Sequence, residues 1–375
     1  MSGGIVRLAH FATLTVCLAA VAWASPLPQR VTDRDVYEAT AAHGVLFDCS
    51  DLHCFRVLVP WLLAPLPGAS ILKWKAYAVV ANAAAGVAVF ALCLTFGLSR
   101  RAAWYASIGS ACGFGSLYTL HDVYSSDPLM YFLGPFLTNE LLRGRVAVAA
   151  AVGAIGVMAK EFAAAPLYLV TGCLAVERQW VQSARAFVAA NAVFAVWLLL
   201  TLTLMLRYNY TYSGSASADL TGGGNLVGWM SRLSGRGIAS AMFNEFGALW
   251  VLAPVGLFLA PRRLQVVAIV SLPIAALFAY VQQPDRALWN FHFVVLPLAA
   301  IVLDRAAALA GPTLAAFMIG NLRVGAQLPI APVSRLAMAA SVLFAFATVA
   351  VALRPPRGVM RSRDGVDPFA HSHTG

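Results

Sequence analysis

Charged side chains are scarce in this chain of 375 residues, since Asp, Glu, Lys and Arg together account for 11% of it. An ordinary soluble domain carries about 25%. Acidic residues are the rarer kind, with 16 Asp and Glu against 26 Lys and Arg, while 60% of the residues are hydrophobic. This composition excludes a water-soluble enzyme and predicts an all-α polytopic protein embedded in a lipid bilayer.

The chain also lacks a dense basic patch with interleaved aromatic residues, although its net charge is +10. Nucleic acid is therefore excluded as a partner. Most arginines lie in short loops between apolar runs and, with the N-terminus placed in the cytoplasm, these loops fall inside, as the positive-inside rule requires. The outer loops also carry basic residues, among them Arg30, Arg34 and Arg56, but these are interspersed with Asp and Glu. We expect a multi-pass protein of a bacterial inner (plasma) membrane, with both termini cytoplasmic.

Twelve apolar runs have the composition of membrane helices, and the transmembrane bundle is predicted to hold about 10–13 helices because several runs are shorter than a full span. The runs cover residues 8–24, 74–96, 102–120, 128–142, 146–159, 162–176, 184–206, 241–260, 264–281, 288–303, 306–320 and 336–353. The first is interpreted as a retained helix, although Ala22-Trp23-Ala24 also fits a signal-peptide cleavage site.

These runs predict one transmembrane domain over residues 1–353, followed by a cytoplasmic tail over residues 354–375. Two loops are too long to be simple connections. Residues 25–73 are predicted to form a structured first periplasmic loop with amphipathic helices, and residues 207–240 a second large periplasmic loop able to close over a substrate.

Only six cysteines are present, and four of them lie within apolar runs. Cys49 and Cys54 instead lie in the first loop, where an oxidising periplasm would permit a local disulfide, with free thiols as the alternative. A metal site built from these cysteines with Asp51 and His53 matches no standard zinc spacing.

The acidic residues are concentrated on the predicted periplasmic side, opposite the arginine-rich loops. Carboxylates gathered on one face of a membrane protein indicate a functional site. They are Asp33, Asp35, Asp48, Asp51, Asp122, Asp127, Glu161, Glu245 and Asp285.

Four short motifs together resemble the GT-C superfamily of integral membrane glycosyltransferases. They are Asp33-Arg34-Asp35-Val36-Tyr37, the segment from Phe55 to Leu62, Ser126-Asp127-Pro128-Leu129, and Lys160-Glu161. The resemblance implies a GT-C-like helical bundle and transfer of a sugar from a polyprenyl-phosphate carrier. The acceptor would be a glycan, lipid or protein of the cell envelope on the periplasmic side.

The resemblance also implies that a carboxylate of the first loop is the general base. Here that base is Asp33 or Asp35, and both stay open because Asp-Arg-Asp departs from the Asp-Glu pair of several relatives. The remaining residues assigned to substrate binding are Tyr37, Arg56, Asp127, Lys160, Glu161 and Arg286. Sugar transfer needs such a base for the acceptor hydroxyl and cations for the phosphate leaving group.

Each assignment has a structural alternative. Asp33 and Asp35 could cap a helix or pair with Arg30 and Arg34, Asp127 could simply start a helix, and Lys160 could pair with Glu161. A divalent cation held by Asp127 with Asp33 or Asp35 is likewise left open.

Three other functions share the pattern. A transporter or flippase of a lipid-linked or amphipathic solute would have a similar helix count, but the sequence shows no internal repeat. A catalytically silent envelope-assembly protein would keep the fold without the base. An acyl or phosphate-group transferase would need a histidine base, for which His43, His53 and His121 are available.

Overall fold

The computed structural model describes residues 3–28, 33–211, 246–281 and 288–354. These residues form fifteen α-helices and three short 3-10 helices, and no strand occurs among them. The α-helices are α1 (Gly3–Ala24), α2 (Arg34–His43), α3 (Leu58–Leu63), α4 (Ser70–Thr95), α5 (Arg100–Cys112), α6 (Phe114–His121), α7 (Asp127–Leu142), α8 (Val146–Gly156), α9 (Ala165–Val176), α10 (Trp180–Tyr208), α11 (Leu249–Leu259), α12 (Arg262–Val281), α13 (His292–Arg305), α14 (Ala307–Val324) and α15 (Ala331–Ala352). The 3-10 helices are Leu52–Phe55, Glu161–Ala164 and Leu288–Phe291.

Seven helical segments in the described part of the chain are long and apolar enough to cross a membrane. They lie in α1, α4, α10, α12, α14, α15 and the segment Leu288–Arg305 that contains α13. Shorter apolar helices occur at Val146–Gly156, Glu161–Val176 and Leu249–Leu259. The chain is thus a multi-pass membrane protein with an all-α fold, as predicted.

One predicted helix is divided in two. The apolar run 102–120 becomes α5 and α6, because Gly113 adopts an extended conformation between them. The ring of Trp289 packs so closely here that a Cβ atom at position 113 would lie 1.8 Å from it. Hydropathy alone could not show this break, since glycine does not lower the apolar character of the run.

Among the seven membrane-length segments, the most buried are α4 and Leu288–Arg305. In the most apolar window of each, 67% of α4 and 78% of the Leu288–Arg305 segment is buried, whereas only 22% of the α1 window is. The shorter helix α7 is also buried over most of its length, so α4, α7 and α13 form the core of the bundle.

The predicted first loop is structured over residues 33–69, and α4 begins at Ser70, before the predicted end of the loop. The loop contains α2, the 3-10 helix Leu52–Phe55 and α3, and a disulfide joins Cys49 to Cys54. Its backbone is attached to the end of α10, because Asp48 N donates to Tyr208 O at 3.0 Å and Thr211 N donates to Cys49 O at 3.1 Å. We call the end of the bundle that carries this loop the loop end.

Candidate functional site

Three segments that are distant in the sequence meet at the loop end: the first loop, the start of α7 and the connection between α8 and α9. Leu58 N donates to Met158 O at 3.2 Å, which links the first loop to the end of α8. Lys160 then reaches the first residue of α7, Asp127. The convergence places Asp33, Tyr37, Arg56, Asp127, Lys160 and Glu161 in one region.

Lys160 and Asp127 form a buried ion pair. Their Nζ and Oδ1 atoms are 2.6 Å apart, and the side chains are 6% and 9% exposed. Lys160 therefore bonds to Asp127 in α7, rather than forming the local pair with Glu161 that its sequence position allows. Asp127 also begins α7 and is followed by Pro128, so its role at the helix start and its pairing coexist.

Arg56 lies between these two segments. Burial by itself would lower the pKa of its guanidinium, but Tyr37, Glu161 and Asp127 surround it and together raise that pKa. The buried Nε atom has no hydrogen-bond acceptor among the described residues. Because buried donors are almost always bonded, a donor in this state indicates a site for a ligand acceptor.

A small cavity adjoins this arginine. It has a volume of about 10 Å³ and is lined in part by Arg56, Lys160, Glu161 and Trp197. That volume is at the lower limit for one water molecule. Three of the charged side chains that the sequence assigned to substrate binding thus line one small cavity.

His53 lies between two aspartates of the first loop. Its Nε2 is 3.1 Å from Asp33 Oδ2, and its Nδ1 is 2.7 Å from Asp51 Oδ1. Asp51 also accepts a hydrogen bond from His53 N at 2.8 Å, and the hydrogen bond from the His53 ring is the main reason that the pKa of Asp51 is lowered. The imidazole is therefore oriented from one side and holds the Asp33 carboxylate on the other.

Asp33 and Asp35 occupy different environments. The Asp33 side chain is 18% exposed, whereas Asp35 is exposed on α2. Asp33 precedes α2 but makes no side-chain capping hydrogen bond, and Arg34 pairs with Glu38 at 3.1 Å instead. Only Asp33 of the two is thus positioned toward His53.

Tyr37 packs between the His53 side of the site and Trp74 of α4. It is buried, and its ring centroid is 5.6 Å from that of His53 and 5.2 Å from that of Trp74. Burial raises the pKa of Tyr37 to about 12. The hydroxyl therefore stays protonated at neutral pH and can donate but does not act as a base.

The residues at the site do not suit the divalent cation considered above. Asp127 bonds to an ammonium group, and Asp35 lies apart on the surface of α2. Within the described residues, no group of three or more His, Cys, Asp or Glu side chains is arranged to hold a metal. The steps proposed below use none.

A second cavity, of about 330 Å³, lies next to the site between α2, α3 and α4. Glu38, Ser70, Lys73 and Trp74 contribute to its lining. Glu38 accepts a hydrogen bond from Tyr124 OH at 2.8 Å. Sequence reasoning did not select Glu38 or Trp74, because the cavity exists only where α2 meets α3 and α4.

An apolar groove approaches the site from the lipid side. It has a volume of about 280 Å³ and lies between α11, α12 and α13, with Trp250, Leu272 and Phe291 among its lining residues. The ring of Phe291 is 5.3 Å from that of Phe162, the residue after Glu161. The groove therefore ends beside the segment that carries Lys160 and Glu161.

Two predicted features lie outside the described residues. Arg286 falls in the unassigned stretch 282–287, and most of the predicted second loop falls in residues 212–245. The tail beyond Arg354 is likewise not described.

No protein-family model matches the sequence, and no curated protein matches it significantly. Solved structures do resemble it. The oligosaccharyltransferase of Archaeoglobus fulgidus superposes with a TM-score of 0.50 both when tethered to an acceptor peptide and in the apo form, at 13% and 12% identity. The matches cover 88% of this chain and 55% and 56% of that enzyme, so this chain spans about half of its length.

The fold is of the GT-C type. ArnT from Cupriavidus metallidurans in the apo state is also similar, with a TM-score of 0.47 and 14% identity over 94% of this chain and 77% of ArnT. The superposition on the oligosaccharyltransferase confirms the GT-C-like fold that the four motifs implied. In this GT-C fold, the first loop and the start of α7 carry the polar cluster at one end of the bundle.

Proposed function

We propose that the protein is a membrane glycosyltransferase that moves a sugar from a polyprenyl-phosphate carrier to an acceptor in the cell envelope. The observation that supports this most directly is that Asp33, held by His53, and Arg56, with its unbonded buried Nε, both lie close enough to Tyr37 to act on its hydroxyl. A base and a phosphate ligand are the two groups that such a transfer requires. The similar oligosaccharyltransferase, which has been seen with an acceptor peptide, is a transferase too.

Asp33 is the base in this mechanism. Its carboxylate takes the proton of an acceptor hydroxyl as that oxygen attacks the anomeric carbon of the sugar. A carbon–oxygen bond to the sugar forms, the bond from the anomeric carbon to the phosphate oxygen breaks, and its electron pair leaves with the polyprenyl phosphate. His53 orients Asp33 through its Nε2 contact at 3.1 Å.

Arg56 is the principal phosphate ligand. Its planar guanidinium can donate two parallel hydrogen bonds to phosphate oxygens, and its Nε already lacks an acceptor within the described chain. Lys160 is bonded to Asp127, and that pair fixes the wall next to Arg56. We therefore assign Lys160 and Asp127 to positioning, while Arg286 keeps its assignment from the sequence.

The apolar groove between α11, α12 and α13 would hold the carrier chain. Its lining is almost entirely hydrophobic, as a polyprenyl chain requires, and Phe291 contacts Phe162 beside Glu161. A chain lying in the groove would thereby present its phosphate to Arg56. The carrier would enter from the bilayer without leaving it.

The decisive experiment compares Asp33→Asn with Asp35→Asn in purified protein reconstituted in lipid, using a panel of polyprenyl-phosphate sugars. We expect Asp33→Asn to slow transfer by about 10²–10⁴-fold, the usual contribution of a general base, with donor binding retained. Asp35→Asn is the matched control, since it removes one charge from the same helix and should leave the rate nearly unchanged. Equal rates in both variants would contradict the assignment of Asp33.

The same assay separates the other functions. Binding of a lipid-linked sugar without transfer from any donor would favour a flippase or a silent assembly protein. Transfer of an acyl group would favour a histidine base, but both ring nitrogens of His53 face carboxylates and His121 Nδ1 contacts Pro26 O. These contacts disfavour His53 as that base, whereas the contact of His121 leaves its other ring nitrogen able to accept a proton.

A further inference from the structure

A crevice of about 430 Å³ lies at the end of the bundle opposite the loop end. It is bounded by the first half of α1, the last half of α4 and the end of α7. Because α7 begins at Asp127 in the candidate site and ends at Leu142 beside the crevice, the two regions are separated by the length of that helix. The crevice is therefore separate from the candidate site.

Its walls are apolar. Phe11, Val87, Phe132 and Phe136 contribute to them, and the rings of Phe132 and Phe136 stack with centroids 5.2 Å apart. Ala84 and Ala91 line the same crevice along α4. Small residues on α4 thus leave space between flanking aromatic rings, in a part of the molecule that faces lipid.

Its rim is basic. Arg7, Arg143 and Arg145 line it with a single carboxylate, that of Glu140. Glu140 is buried, and both of its oxygens are bonded, one to Asn139 Nδ2 at 3.0 Å and the other to Arg145 Nη1 at 3.2 Å. Asn139 accepts in turn from Thr95 Oγ1 at 2.7 Å.

This network neutralises the carboxylate and fixes Arg145, but it leaves the other two arginines available. Arg7 and Arg143 are exposed, and neither has an ion-pair partner in the described part of the chain. The lining therefore carries an excess of positive charge above an apolar slot. An amphipathic anion with a hydrocarbon chain fits both features, whereas a free anion would use only the rim.

We propose that this crevice is a binding site for an anionic phospholipid. The phosphate headgroup would lie against Arg7 and Arg143, and one acyl chain would occupy the slot between Phe132, Phe136 and Ala84. The proposal does not depend on the transferase activity, because it concerns the other end of the molecule.

The test is native mass spectrometry of the delipidated full-length protein, titrated with phosphatidylglycerol or with phosphatidylcholine of the same acyl chains. We expect the wild type to prefer phosphatidylglycerol. The double variant Arg7→Gln/Arg143→Gln should bind it about 30-fold more weakly, which corresponds to about 2 kcal/mol for two basic residues near an anionic lipid. Arg100→Gln/Arg262→Gln is the matched control, since both residues are exposed arginines at the same end but outside the crevice.

Ala84→Phe tests the slot separately, because it fills the crevice and leaves the arginines in place. We expect it to lose the lipid while keeping the melting temperature of the wild type, and Ala91→Phe on the same wall is the second filling variant. Equal phosphatidylglycerol affinity in the two arginine double variants would overturn the proposal. Unchanged affinity in folded filling variants, or displacement of the lipid by millimolar inorganic phosphate, would overturn it as well.

Discussion

Lys160 Nζ lies 2.6 Å from Asp127 Oδ1, although 33 positions separate the two residues in the chain. Each group is nearly excluded from water, at 6% and 9% exposure. A charge buried in this way is tolerable only while its partner is present. The pair thus holds the connection between α8 and α9 against the start of α7.

Replacing Lys160 with Met should therefore destabilise the protein by up to about 3–5 kcal/mol, because the buried Asp127 carboxylate loses the ammonium group that it contacts directly. The melting temperature in detergent measures this loss. Lys160→Met/Asp127→Asn should recover much of it, since the buried carboxylate is then removed together with the ammonium group. Arg34→Met is the control, because it breaks an ion pair whose side chains are 51% and 30% exposed and should cost at most about 1 kcal/mol.

Replacing His53 with Gln should slow the proposed sugar transfer by about 10–100-fold, because Asp33 loses the ring that orients it. Donor binding should be retained, so the effect would appear in kcat and not in KM. His43→Gln at the exposed end of α2 is the matched control. A wild-type kcat for His53→Gln would show that His53 does not position Asp33.

Acid should weaken the first loop through Asp51. The pKa of this carboxyl is lowered in the folded protein, chiefly by the hydrogen bond from His53. A group of this kind stabilises the fold above its unfolded pKa, about 3.9, and the stabilisation is lost as the pH falls through the folded pKa. The melting temperature should therefore fall more steeply below about pH 4 in the wild type than in Asp51→Asn. Identical pH profiles would contradict this role of Asp51.

Removing the disulfide should loosen the same loop. Cys49 and Cys54 are separated by 5 positions and enclose both Asp51 and His53. Closing so short a loop is worth about 2 kcal/mol in the chain-entropy model. We expect Cys49→Ser/Cys54→Ser to lower the melting temperature and to abolish its sensitivity to dithiothreitol, while Cys17→Ser should leave that sensitivity intact because Cys17 is a free thiol.

Gly256 should tolerate no side chain. A Cβ atom there would lie 2.0 Å from Leu298 O, a backbone atom of α13 that cannot rotate away. Gly256→Ala should therefore separate α11 from α13 and lower the melting temperature markedly. Gly311→Ala is the control, because no atom lies within 4 Å of its Cβ position and alanine is the better helix former by about 0.5–1 kcal/mol.

The helices were largely predictable from the sequence, because lipid demands long apolar runs and those runs are visible without a structure. A structured first loop was predicted as well, from its length, whereas the placement of Cys49 and Cys54 left a disulfide and free thiols both open. The break at Gly113 was not, since it depends on Trp289, which is far away in the sequence.

The contacts among the residues assigned to the site were not predictable from the sequence. The sequence offered Asp33 and Asp35 as equals, and only burial and the His53 contact separate them. His53 itself was weighed as a metal ligand or an acyl-transfer base, because nothing local shows that its two nitrogens face Asp33 and Asp51. The Lys160–Asp127 pair joins the connection between α8 and α9 to the start of α7, and the hydrophobic periodicity of the sequence does not show that these two segments meet.

The hydrogen bond from Leu58 N to Met158 O has a consequence for the order of events during synthesis and membrane insertion. Arg56 leaves the ribosome well before Asp127, Lys160 and Glu161. Its guanidinium therefore stays in water or at the lipid surface until α7, α8 and the start of α9 have been inserted. A chain arrested before Met158 would hold all of the first loop but would lack the contacts that Met158, Lys160 and Glu161 make beside it. The candidate site is thus completed late in membrane insertion, when the first loop closes onto helices made after it.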